Sequence, residues 1–163
     1  MMAKQEAGTP ATAALTKAGI AFTVHAYTHD PRQRSFGEEA ASALGLDPAE
    51  VFKTLIVTVD GTLAVAIVPV DSMLDPKAFA SAVGGRRAGL ADQAEAQRVT
   101  GYVVGGISPI GQKKPLPTVL DDSAVLRETI YVSGGRRGLD IGISPDDLVH
   151  ITGALLRPIA RTA

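Results

Sequence analysis

A chain of 163 residues, 45% hydrophobic and 20% charged, has the size and apolar content of one folded domain and not the composition of a disordered one. Sixteen Lys and Arg against seventeen Asp and Glu leave a formal charge of −1, which excludes a polybasic protein holding nucleic acid by bulk charge but leaves room for a local basic patch. The absence of cysteine removes disulfides, thiolate metal centres and an enzyme-borne cysteine nucleophile, and the most apolar run, 62–70, is too short to cross a bilayer.

Along the chain, residues 1–8 read as a flexible N-terminus with an early acid and no signal-peptide run, so the expected location is the cytoplasm. Thr9-Pro10 reads as an N-cap followed by proline at the first helical position, with the helix stopped by Gly19. Residues 20–27 alternate as a strand, and His29 to Arg32 form a loop. Ser35 and Glu38 have capping-box spacing before a helix that ends at Gly45, and Asp47-Pro48 starts a shorter turn. The clearest unit is a hairpin: 54–59, an Asp60-Gly61 turn of type I′, then 63–68, both arms so continuously apolar that the hairpin should be central. Asp75-Pro76 and Asp92 start two further helices, 102–104 reads as a strand, and 119–121, 129–133 and 139–143 follow as strands before a helix from Ser144-Pro145. Helices interspersed with an antiparallel hairpin predict one α+β domain over 1–163, with a mixed sheet and helices outside it.

Several constellations could carry chemistry. His25, His29 and His150 are not at metal-ligand spacing, so no metal or cofactor is expected. Lys53 is the single charge at the start of the most apolar strand: either it snorkels at a sheet edge, or it places an ammonium at a pocket mouth to bind phosphate or carboxylate. The run from Gly101 to Lys114 combines four glycines, a Ser-Pro turn and two lysines, which suits a tight structural turn or a backbone nest for an anion or oxyanion. Three basic doublets stand beside glycines: Arg86-Arg87, Lys113-Lys114 and Arg136-Arg137. On a chain of charge −1 they suggest positive charge gathered around one rim, in contact with a sugar-phosphate backbone.

The same residues carry a resemblance. The order Phe52-Lys53-Thr54-Leu55, Val68-Pro69, the 101–111 segment and Ile130 to Ile141 is similar to the YbaK/EbsC family of aminoacyl-tRNA deacylases, relatives of the editing domain inserted in bacterial prolyl-tRNA synthetase. It runs from about Thr9 to Ile159, and Tyr27 to Pro31 with Ser35-Phe36-Gly37 resembles the branch of free-standing Cys-tRNA(Pro) deacylases. The resemblance implies a partly barrel-like mixed sheet and an enzyme that clears cysteine from Cys-tRNA(Pro), and from Cys-tRNA(Cys) in isolation. It implies attack by the substrate's own thiol, giving a cyclic thiolactone. It places Lys53 on the terminal adenosine, and Gly105, Gly106 and Ser108 on the loop whose backbone meets the aminoacyl group. Tyr27 and Phe36 line the pocket, with Ser133 and Asp140 polar beside it. The implied partners are the aminoacylated 3′ end of tRNA and prolyl-tRNA synthetase, not DNA or a membrane. The basic doublets would hold the tRNA backbone. Two rivals remain: a deacylase of the same fold that removes alanine or another small amino acid by water attack, and a module that binds tRNA without catalysis.

Overall fold

The computed structural model describes residues 8–162; residues 1–7 and 163 lie outside the described residues, and with them nearly all of the expected flexible N-terminus. Thr9 opens α1 (Pro10–Ala18) with a reciprocal cap, its hydroxyl accepting from the Thr12 amide at 3.2 Å while the Thr12 hydroxyl accepts from the Thr9 amide at 3.1 Å. There follow β1 (Thr23–Ala26), α2 (Phe36–Leu44), β2 (Phe52–Val59), β3 (Thr62–Pro69) and β4 (Ser72–Leu74). Next come α3 (Pro76–Ala82), β5 (Ala88–Leu90), α4 (Gln93–Thr100) and β6 (Thr118–Asp121), the last running into a 3₁₀ turn, Asp122–Leu126. The chain continues through β7 (Ile130–Arg136), β8 (Leu139–Ile143), α5 (Pro145–Thr152), β9 (Leu155–Arg157) and β10 (Ala160–Thr162).

The hairpin forms as its sequence requires. Asp60 and Gly61 both take positive φ, 51° and 85°, which is the type I′ geometry that matches strand twist. Strands β2 and β3 pair antiparallel from Phe52 opposite Pro69 to Val59 opposite Thr62. They occupy the middle of a five-stranded sheet of order β5-β2-β3-β6-β9, in which β6 joins β3, and β9 joins β6, in parallel. Both faces are covered. Ile56, Val65 and Ile67 pack into one cluster with Ile130, Val132 and Ile141, while Val57, Ala66 and Val68 pack into another with Phe79 and Ile159. This double burial is why neither arm alternates.

A second sheet, β1-β8-β7, is antiparallel and meets the first at a single parallel bridge, Val51 to Tyr131. The result is an α+β fold with one mixed and one antiparallel sheet, joined at this bridge, and no closed barrel among the described residues. A two-stranded ribbon pairs β10 with β4, and the buried Asp121 carboxylate anchors the approach to it by accepting from the amides of Ile159 (3.0 Å) and Ala160 (2.9 Å).

Two local expectations fail. Residues 102–104 form no strand: Tyr102 is buried with its hydroxyl donating to the Ile110 carbonyl at 2.6 Å, and the Val103 carbonyl accepts from Gly106 in a tight turn. Only Tyr102 of the three is buried in the core, while Val103 is exposed, so the run is apolar without pairing. The Ser35–Glu38 capping box does not close either. Ser35 makes no side-chain cap, and its amide donates instead to the Gln33 side chain at 2.9 Å.

Candidate active site

Strand β5 covers β2 only from Val57 to Val59, so the edge of β2 from Phe52 to Ile56 has no strand neighbour on that side. A cleft of about 470 Å³ follows this edge. Its other walls include residues 34–38 at the start of α2, Leu90 and Ala91 at the end of β5, Gln93 and Ala96 of α4, and the loop through Val104, Gly105 and Ile107, with Tyr27, Ser133 and Asp140 at one end.

Lys53 is half-buried in this cleft, and among the described residues its ammonium has no hydrogen-bond or ion-pair partner. Burial lowers its pKa, with the charges of Glu38 and Asp71 pulling the other way. A cation in that state can take an incoming anion without first leaving a carboxylate. The approach of α2 depends on Gly37, where a Cβ would run into Val70 beside Lys53.

The polar end of the cleft is built on β7 and β8. Ser133 pairs with Asp140, and Asp140 also lies opposite His25 of β1. Asp140 is 6% exposed and has no hydrogen-bond donor among the described residues, so desolvation pushes its carboxyl up to about 7. Tyr27 rises to about 12, first through burial and then through the charge of Asp140. The Ser133 hydroxyl accepts from the Gly135 amide at 3.2 Å, which leaves its own proton to donate.

Phe36 stands at the junction of the walls. Its ring lies against Gly105, where a Cβ would come within 2.7 Å of the ring, and Gly105 has φ of +90°, so this position suits glycine on two counts. The Arg137 guanidinium covers the ring at 5.0 Å from its centroid, and His29 lies 5.6 Å away, tilted by 37°. His29 is held by Glu39 at 2.7 Å, whose other oxygen accepts from the Asp30 amide at 2.7 Å.

The cleft therefore gathers Tyr27, Phe36, Lys53, Gly105, Ser133 and Asp140, six of the positions that the resemblance singles out. It does not gather the rest. Ser108 is fully buried behind the loop, its hydroxyl accepting from the Ile110 amide at 3.2 Å. Gly106 packs on the backbone of Arg136 and Arg137, and its amide donates to Val103 at 2.8 Å; the Gly105 amide has no partner among the described residues. Nor do the basic doublets share one rim. Lys113 and Lys114 donate their amides to the end of α4, at Thr100 and Val99, while Arg136 ends β7. Arg86 and Arg87 sit at the hairpin tip with their amides on the Asp60 carboxylate, 3.0 Å each. That tip is about 20 Å from Lys53 at the usual rise per strand residue. Sequence reasoning missed Arg34 and Glu38, which line the cleft, and Thr54, whose hydroxyl is buried there without a hydrogen-bond partner. A basic residue two positions before Phe36 was the one available signal; Glu38 was absorbed by the expected cap.

Residues 30–151 match the model of the aminoacyl-tRNA editing domain family. The chain is 36% identical over 116 residues to EbsC of Enterococcus faecalis, named as a Cys-tRNA(Pro)/Cys-tRNA(Cys) deacylase, covering 71% of each chain. It is 32% identical over 101 residues to the proline–tRNA ligase of Maridesulfovibrio salexigens, covering 62% of this chain and 17% of that enzyme. A crystal structure described as a trans-editing enzyme for prolyl-tRNA synthetase superposes with a TM-score of 0.83 at 23% identity, covering 99% of both chains, which is a likeness of fold. Among the described residues no helix is long and apolar enough to cross a membrane, and no three His, Cys, Asp or Glu gather as a metal site.

Proposed function

The chain belongs to the aminoacyl-tRNA editing domain family, and from that membership we propose that this aminoacyl-tRNA deacylase acts in trans to clear cysteine from mischarged Cys-tRNA(Pro), with Cys-tRNA(Cys) accepted in isolation. The observation that carries the reading is the cleft itself: an unpaired Lys53 ammonium, a buried Asp140 and the free Gly105 amide face one space that no histidine lines, in a chain without cysteine. Such a site can orient an ester but offers no histidine-activated nucleophile to attack it.

In this reading Lys53 holds the phosphate or ribose of the terminal adenosine, Asp140 in its ionised form takes the α-ammonium, and Tyr27, Phe36 and Ser133 bound the aminoacyl group. The substrate's thiol sulfur attacks the ester carbonyl and the carbon–oxygen bond to the ribose breaks. The thiol proton ends on the freed ribose hydroxyl, and a cyclic thiolactone departs. The Gly105 amide stabilises the oxyanion. Holding sulfur and carbonyl in a reactive geometry is worth as much as roughly 7–11 kcal/mol, so positioning can supply most of the acceleration. Gly106 and Ser108 shape the loop from behind. Exposed Lys113, Lys114, Arg86 and Arg87 are the candidate contacts to the tRNA backbone, with Arg136 beside the cleft loop. The enzyme works in the cytoplasm, with prolyl-tRNA synthetase as the partner that supplies mischarged tRNA.

The test is deacylation of Cys-tRNA(Pro), Ala-tRNA(Pro) and Ser-tRNA(Pro) side by side, with analysis for thiolactone and with Lys53→Ala as control. Loss of cysteine alone, thiolactone among the products, and a drop of at least about a hundredfold in the control are expected. Free alanine as the product would instead move the protein to water-dependent deacylation. No turnover of any substrate would overturn the reading.

A further inference from the structure

Arg137 is exposed, as a phosphate contact would be, yet its guanidinium is already engaged on two sides. Its central carbon lies over the Phe36 ring, 5.0 Å from the centroid, and its Nε–H donates to the Val104 carbonyl at 2.8 Å. The backbone beneath it is engaged as well. A Cβ on Gly106 would come within 2.7 Å of the Arg136 Cα and 2.8 Å of the Arg137 nitrogen, so the cleft loop lies flat on this turn. We infer that Arg137 is a positioning residue that fixes the Gly105 loop against Phe36, and not a contact for the tRNA backbone.

Glu39 holds His29, His29 lies beside Phe36, and Phe36 bears on Gly105. That row would set the height of Gly105 but leave the loop free to slide along the ring. Arg137 removes the freedom by gripping the carbonyl one residue before Gly105 while resting on the same ring. Only a planar guanidinium does both. A lysine ammonium keeps the charge, and would serve a phosphate, but it has no Nε–H in the plane of a stacked group. The role rests on the deacylase reading, since the loop is held for that reaction, although the clamp is a property of the free protein.

Two variants separate the roles. With Cys-tRNA(Pro), Arg137→Lys is expected to lower kcat by about tenfold to a hundredfold with KM within about twofold. In the absence of tRNA the same variant should speed amide hydrogen exchange at residues 105–107 by at least about fivefold. Arg137→Gln should leave the salt dependence of tRNA(Pro) affinity as in the parent. Parent-like kcat or parent-like exchange in the lysine variant overturns the inference. So does a salt slope shallower by about 0.7–0.9 in the glutamine variant, the signature of one lost phosphate contact. A parent protein that deacylates nothing defeats the functional reading instead, and the exchange measurement still decides whether Arg137 fixes the loop.

Discussion

The tetrapeptide Gly-Gly-Arg-Arg occurs twice, at 84–87 and 134–137, and the fold puts the copies to different uses. In the first, Gly84 follows α3 with φ of +78° and open space where a Cβ would stand, and the arginine amides rest on Asp60 at the hairpin tip. The second forms an irregularity in the pairing of β7 with β8 between Ser133 and Arg136, Gly135 is pressed against Thr9 and Tyr102, and Arg137 reaches across to Phe36 and Val104. Four residues mean nothing by themselves here. The first copy meets one other part of the chain, the hairpin tip, while the second is read by three.

Substituting alanine for one glycine in each copy is the sharpest way to break this contrast. Gly135→Ala must hold φ of +108° and put a Cβ 2.9 Å from that of Thr9, for an expected cost of about 2–5 kcal/mol. Gly84→Ala meets only the backbone penalty, about 1–2 kcal/mol, and should leave deacylation unchanged. Thermal unfolding reads both; equal losses would dissolve the distinction.

The acids at the two ends of β2 make a second pair. The folded state raises Asp140 from 3.8 to about 7, so its contribution to stability is complete below about 3.8 and is lost as pH climbs to 7. Asp140→Asn should therefore flatten denaturation midpoints between pH 4 and pH 8, gaining on the order of 2–4 kcal/mol over the parent at the upper end. The parent's KM should also rise as pH falls below about 7, because the neutral acid cannot take an ammonium. Asp60 serves the backbone instead: its carboxylate accepts two amides, so Asp60→Ala should cost about 2 kcal/mol without touching KM. The smallest effect compares two threonines of the same strand. Thr54→Val removes an unpartnered hydroxyl and should stabilise by about 1 kcal/mol, whereas Thr58→Val loses only a 3.4 Å bond to Gly89 and should be close to neutral.

What could be read beforehand follows the same division. The β2–β3 hairpin, the Thr9 cap and the helix starts at Asp75, Asp92 and Ser144 were legible, because each is decided by residues within a few positions. The three-residue strands β4, β5, β9 and β10 were not, since so short a run has no period and exists only through its neighbour. In the site, Lys53 stood out as the single charge in an apolar run, and Asp140 came only with the family resemblance; both line the cleft. The burial of Ser108 and the scatter of the basic doublets were not legible, because sequence shows that a residue is polar, not which way the turn beneath it faces. Arg137 was legible as a charge and illegible as a clamp, for its partners lie on segments far apart in the chain.

That remoteness also governs how the molecule is made. Strand β1 finds its partner only in β8, far along the chain, with Thr23 opposite Gly142, and β4 likewise depends on β10. Until then the hairpin can stand, but Tyr27 has no Asp140 beside it and Phe36 has no Arg137. Assembly of the cleft thus waits on the closure of long loops, and before they close the chain carries unpaired strand edges open to association.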